Sequence, residues 1–259
     1  MKPAALLSVL LFAAICLRAE EPKWTPLFNG RDLSGWTIKI ANRPLGENFA
    51  NTFRVEDGIL KVSYAVYATF ECRFGHLFPT LAYSHYVLRL EYRFDGKVMP
   101  DAPGYTNLNS GVMLHAQPPQ SMRFDQGFPA SLEVQFLAAD GKPERFTGNL
   151  CTPGTHVEMN GQLVTQHIVR STAPAPPAEQ WVRIEAEVHG DKEIIHRVNG
   201  VEVLRYQRPQ LDPNNNNAPA TDLLEAGAPL RLSHGHIALQ AEGQPVWFRN
   251  IEIRPLEAE

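Results

Sequence analysis

Two side chains on neighbouring strand-like runs could pass a proton between them. His115 ends the run 111–115, Glu133 sits inside 132–136, and a Pro-rich connection joins the two. In Leu132-Glu-Val-Gln-Phe136 apolar and polar residues alternate strictly. Strand side chains have period two, so Leu132, Val134 and Phe136 take one face while Glu133 and Gln135 take the other. In the first run Val112 and Leu114 share a face, and Met113 and His115 share the opposite one. If both runs lie in one sheet, a His and a Glu meet on its polar surface, a pairing suited to general acid–base chemistry.

Other runs add to that inventory. Arg89 and Glu91 fall on the polar face of 86–94, His167 on that of 163–169, and Gln240 and Glu242 on that of 236–242. His156 ends a Gly-, Thr- and Asn-rich stretch, 145–156, that reads as loop. His, Glu, Gln and Arg on several strands predict a polar cleft able to move protons and to hydrogen-bond polyols. Tyr92 and Phe94 fall on the apolar side, so this cleft carries no aromatic platform.

Three chemistries compete for these residues. A pair of carboxylates, Glu133 with Glu242 or Glu91, would suit glycoside hydrolysis. Against it, the residue two places from Glu133 on the strand is Gln135, not a second acid. His115, Glu133, His156, His167 and Glu242 could instead gather a divalent metal ion from separate strands, since His234-Gly-His236 is the one closely spaced pair. The third chemistry is acid–base catalysis on a keto sugar without a nucleophile. No G-x-S-x-G elbow, P-loop or C-x-x-C occurs, so nucleotide and common nucleophile motifs give no support.

The elements that must position these groups are strands. Asp57-Gly58 and Asn199-Gly200 are two-residue hairpin signals between apolar runs. Residues 182–188 alternate Val, Ile, Ala and Val with Arg and Glu. No segment keeps a helical period, and about a dozen short runs with turn signals between them predict an all-β antiparallel sandwich. Its core should hold Val112, Leu114, Leu132, Val134, Phe136, Ile184, Ala186, Ile237, Leu239 and Phe248. Residues 212–229, with Asn214 to Asn217 and several Pro, read as a mobile surface loop.

The chain has 259 residues, is 44% hydrophobic and carries a net charge of −4 with both signs interspersed. That balance argues against a nucleic-acid footprint. Lys2 followed by an apolar run to Leu17, with Ala19 after it, predicts a secretory signal peptide over 1–19. The run is too short to span a bilayer. Export permits a disulfide between Cys72 and Cys151, but two free thiols suit the sequence equally.

Several segments carry a family resemblance. They are Pro26-Leu-Phe-Asn-Gly-Arg-Asp-Leu-Ser-Gly-Trp36, Phe53-Arg-Val-Glu-Asp-Gly58, Asn109-Ser-Gly-Val-Met-Leu-His115, Leu132-Glu-Val-Gln135 and Phe248-Arg-Asn-Ile-Glu-Ile253. Together they resemble the 3-keto-disaccharide hydrolase family over about residues 24–256. The resemblance implies a single concanavalin A-like jelly-roll β-sandwich, export, a carbohydrate substrate, and cleavage of glycosides already oxidised at C3. A C3 ketone acidifies the C2 proton, so a base could form an enediolate and β-elimination could expel the C1 oxygen. Some relatives look like lyases, and water adding back would give net hydrolysis. On this reading His115 and Glu133 are the acid–base pair, with Arg89, Glu91, Gln135, His156, His167, Gln240 and Glu242 around the sugar. A non-catalytic carbohydrate-binding module remains the alternative, because the fold hosts both.

Overall fold

The computed structural model describes residues 23–141, 144–214 and 219–258. The predicted leader lies outside them. Two large antiparallel sheets face each other across the core. The smaller sheet runs, edge to edge, through Ile168–Val169, Asn149–Cys151, Leu132–Leu137, Asn109–Ala116, Gly235–Ala241, Gly75–Pro79 and Trp36–Ile40. The larger has His85–Phe94 at its centre, between Val182–His189 and Val246–Pro255. Strands distant in sequence are neighbours in both sheets, as a jelly roll requires.

The alternation places the core as read. All ten of the core residues named from the sequence are at most 1% exposed. Tyr92 of the larger sheet stacks on Phe136 of the smaller, with ring centroids 4.5 Å apart and planes 6° from parallel. The Tyr92 hydroxyl also bonds Thr147 at 2.8 Å, which gives its polar end a buried partner. Both hairpins form as expected, with positive φ at Asp57, Gly58, Asn199 and Gly200.

Three expectations need correction. The stretch 145–156 is not loop: it supplies Phe146–Thr147, Asn149–Cys151 and the start of Thr155–Met159. Its Asn149 side chain is paired inside the structure, which offsets the weak strand preference of Asn. The run 163–169 is split between two short strands, Gln162–Val164 and Ile168–Val169, and Leu163 is 52% exposed. Residues 212–229 contain a helix, Pro219–Glu225, whose Ala220 is buried with Ala130 and Leu211. Cys72 and Cys151 are free thiols, the first exposed and the second buried.

Candidate functional site

The site lies on the outer face of the smaller sheet. In the strand Leu132–Leu137, Leu132, Val134 and Phe136 enter the core, so Glu133 and Gln135 point away from it. Glu133 is paired across the sheet with Met113 on one side and Cys151 on the other. Gln135 is flanked in the same way by Gly111 and Asn149. Glu242 follows the strand Gly235–Ala241 two residues after Gln240, on the same face. Glu133, Gln135, Asn109, Asn149 and Glu242 all line one cavity of about 640 Å³, within the range of small-molecule sites.

Gly111 creates the room for Glu133. A Cβ at Gly111 would lie 2.7 Å from Cγ of Glu133 and closer still to Oε1. Only a residue without a side chain lets this carboxyl lean across the neighbouring strand.

The two carboxyl groups are the electrostatic centre. Glu133 is 6% exposed and Glu242 is 3% exposed. Glu133 Oε1 and Glu242 Oε2 have no hydrogen-bond partner. Removal from water penalises a bare carboxylate and raises the Glu133 pKa. Burial raises that of Glu242 well above the carboxylate range, and the Glu133 charge raises it further. Both groups therefore hold their protons beyond the ordinary carboxylate range, and Glu133, pushed up to about 8, is the group that ionises first.

An ordered amide pair stands beside the carboxyls. Asn149 Oδ1 accepts from the Ser171 backbone N–H at 2.9 Å, which fixes the Asn149 amide. Its Nδ2 donates to the Phe146 carbonyl at 2.9 Å and to Gln135 Oε1 at 3.0 Å. That leaves the Gln135 NH2 as a donor in the cavity held in place by its neighbour. Tyr105, Phe128 and Phe146 form aromatic walls. The expectation of a cleft without aromatics fails, because these residues come from segments that the strand reading left out.

His115 does not join Glu133. The strand Asn109–Ala116 carries a bulge against Gly235–Ala241, and His115 has φ +46°. The extra residue breaks the period of two, so parity no longer reports the face. The His115 Nε2 instead meets the Gly190 carbonyl at 3.0 Å, and the residue borders a different cavity. Burial lowers its pKa to about 4.

Arg89 and Glu91 are also elsewhere. They lie on the outer face of the larger sheet, where Arg89 donates to Glu252 and Arg249 donates to Glu91, each at 2.6 Å. Trp24 packs beneath the Arg89 guanidinium at 3.8 Å. Alternation says which way a side chain points from its sheet, not which sheet it belongs to. His156, on a strand of the larger sheet, lies 3.4 Å from Asp212. His167 is exposed on the cavity wall. Gln240 shares the Glu133 face but is fully covered, with neither end of its amide bonded. No group of three or more His, Cys, Asp or Glu side chains among the described residues could hold a metal ion.

Residues 23–254 match the sequence profile of the 3-keto-alpha-glucoside-1,2-lyase-like domain. No curated protein matches the chain. Among solved structures, a Bacillus subtilis protein with a galectin-like fold is 13% identical, with a TM-score of 0.55, covering 92% of this chain and 96% of its own. A provisionally assigned glycosyl hydrolase of Parabacteroides distasonis is 20% identical, with a TM-score of 0.52, covering 90% of this chain and 100% of its own. A β-1,3-1,4-glucanase from a mouse hindgut metagenome is 12% identical, with a TM-score of 0.51, covering 91% of this chain and 100% of its own. These likenesses agree with the two-sheet topology and show the jelly-roll fold.

Proposed function

The chain belongs to the 3-keto-alpha-glucoside-1,2-lyase-like domain family, and from that premise we propose that it cleaves 3-keto-glycosides by proton transfer between Glu133 and Glu242. The observation that carries this reading is the pair of buried carboxyls without bonding partners in one sugar-sized cavity. Like charges held together in a poorly solvated site cannot both ionise, so one acts as base while the other holds a proton.

The steps balance. Ionised Glu133 takes the C2 proton, and the electrons of that bond form an enolate with the C3 oxygen. The Gln135 NH2, oriented by Asn149, donates to that oxygen. The electrons then return, a C1–C2 double bond forms, and the C1–O bond breaks. Protonated Glu242 gives its proton to the departing oxygen. The pair ends with one proton, as it began, and resets when that proton moves back to Glu242. A base raised above the ordinary carboxylate range is better matched to a carbon acid than an exposed Glu would be. Addition of water to the enone would turn the same site into a hydrolase.

Export belongs to this proposal: the N-terminal pattern of 1–19 suits a protein that meets oxidised glycosides outside the cytoplasm. A second reading, as a binding module, draws on the aromatic walls Tyr105, Phe128 and Phe146. Incubation with a 3-keto-glucoside and with its unoxidised parent separates the readings. The proposal expects the keto form alone to be consumed, with a conjugated enone or its hydrate as product. Binding of both without turnover would favour the module.

A further inference from the structure

The carboxyl chemistry proposed above fixes which way the sugar lies. Gln135 holds the C3 oxygen and Glu242 protonates the C1 oxygen, so the group attached at C1 departs on the Glu242 side of the cavity. Two of the three aromatic walls stand on that side. The Phe128 ring packs on Phe74 and His76, with centroids 4.7 Å and 5.9 Å away. His76 is paired with Gln240, and its strand, Gly75–Pro79, flanks the Glu242 strand on the side away from Gln135. The Phe128 carbonyl accepts from Gln126 Nε2 at 2.7 Å, so the backbone is held as well as the ring.

Tyr105 stands near Glu242 on the 3-10 turn Gly104–Thr106. Partial burial first, and the Glu242 charge after it, hold its hydroxyl above the usual phenol range. Its carbonyl accepts from Asn109 Nδ2 at 3.1 Å, which ties the turn to the cavity floor. The residue is 59% exposed, so its ring has surface left to cover a ligand. Phe146 lies at the other end, where its carbonyl accepts from Asn149 and its ring carries the Arg170 guanidinium at 4.9 Å. The two arginines of the lining are paired, Arg145 with Asp140 and Arg170 with Glu144. Ring walls on the departing side suit a flat apolar group, because aromatic pairs gain from offset and edge-on contact beyond the area they bury. A second sugar would need partners there for its hydroxyls, and His76 behind Phe128 is fully covered.

We propose that the group leaving from C1 is aromatic and is held between Tyr105 and Phe128, which makes these two residues the specificity determinants of the site. The assignment rests on the carboxyl reading for its orientation. Cleavage of a 3-keto benzyl glucoside beside a 3-keto cyclohexylmethyl glucoside tests it, since the two leaving alcohols match in size and reach but differ in aromaticity. The benzyl compound should have a kcat/KM about tenfold higher, the scale of two aromatic contacts. Tyr105→Leu and Phe128→Leu should each bring the ratio toward one, and the exposed Tyr105 position reads out even if the Phe128 variant fails to fold. Phe146→Leu should keep the ratio whatever it does to the two rates. Equal rates in the unaltered protein, a ratio that survives Tyr105→Leu, or a 3-keto-disaccharide cleaved as fast as the benzyl compound would overturn the assignment. If no keto-glucoside is consumed, it is the carboxyl reading that fails, and calorimetry with the unoxidised benzyl and cyclohexylmethyl glucosides then decides the aromatic subsite alone. Tighter benzyl binding that is lost in Tyr105→Leu supports it, and equal or absent binding overturns it.

Discussion

Gly111 and Glu133 occupy one space: a Cβ on the glycine would lie 2.7 Å from Cγ of the glutamate. The two residues stand on adjacent strands, and the carboxyl leans over the position where a side chain is missing. Gly111→Ala should push the carboxyl aside. The expected cost in stability is about 1–3 kcal/mol, the scale of overpacking a buried site. Turnover of a 3-keto-glucoside should fall by roughly 10², the effect of an ångström of misplacement. Thermal melting and steady-state kinetics measure both, and a variant that is stable and fully active would show that Glu133 does not need this position.

The Asn149–Gln135 pair predicts a split between kinetic constants. Gln135→Met removes the cavity donor assigned to the enolate. Its kcat should fall by roughly 10²–10³, as for loss of one oxyanion donor, while KM changes little. Asn149→Ala should lower kcat by less, because Gln135 remains but is no longer held. An effect confined to KM would make the pair a substrate-binding device only.

The carboxyl pair predicts that the fold loses stability as pH rises above the ordinary carboxylate range. The Glu133 and Glu242 pKa values are raised in the folded protein relative to the unfolded chain. The folded state then holds more protons than the unfolded one above the ordinary carboxylate range. This contribution to stability is complete at acid pH and is lost as pH rises toward the folded pKa values, at up to about 1.4 kcal/mol per pH unit for each group. The buried histidines His76, His115 and His196 have lowered values and act with the opposite sign below about pH 6.5. They are common to the parent and to Glu133→Gln, so comparison of the two isolates the carboxyl effect. Urea unfolding at pH 5.5, 6.5 and 7.5 should give the Gln variant a shallower decline, and parallel lines would refute the raised Glu133 value.

How much of this was legible follows from the physics of each residue. The period of two assigned Val112, Leu132, Val134 and Leu239 to the core and Glu133, Gln135 and Glu242 to the other face. It failed at His115, where a bulge resets parity and no glycine announces the positive φ. It also placed Arg89 and Glu91 with Glu133, because alternation within a strand carries no information about which sheet the strand joins. Tyr105 and Phe128 come from a short 3-10 turn and a loop, where no periodicity exists to read. Gly111 did carry a signal: a glycine inside a strand pattern marks a close approach, here of Glu133.

The leader gives a prediction outside the described residues. Export as proposed should leave a chain that begins close after Ala19, and mass measurement of secreted or periplasmic material checks it. An intact Met1 on exported protein would reject cleavage.

The central claim is that Glu133 moves the proton, and Glu133→Gln tests it most directly. The change keeps the size of the side chain and removes the ionisable carboxyl. Cleavage of a 3-keto-glucoside, measured beside a melting curve, should fall by roughly 10²–10⁴, the scale of a lost general base, with the fold retained. Full activity in a folded Glu133→Gln protein would contradict the account.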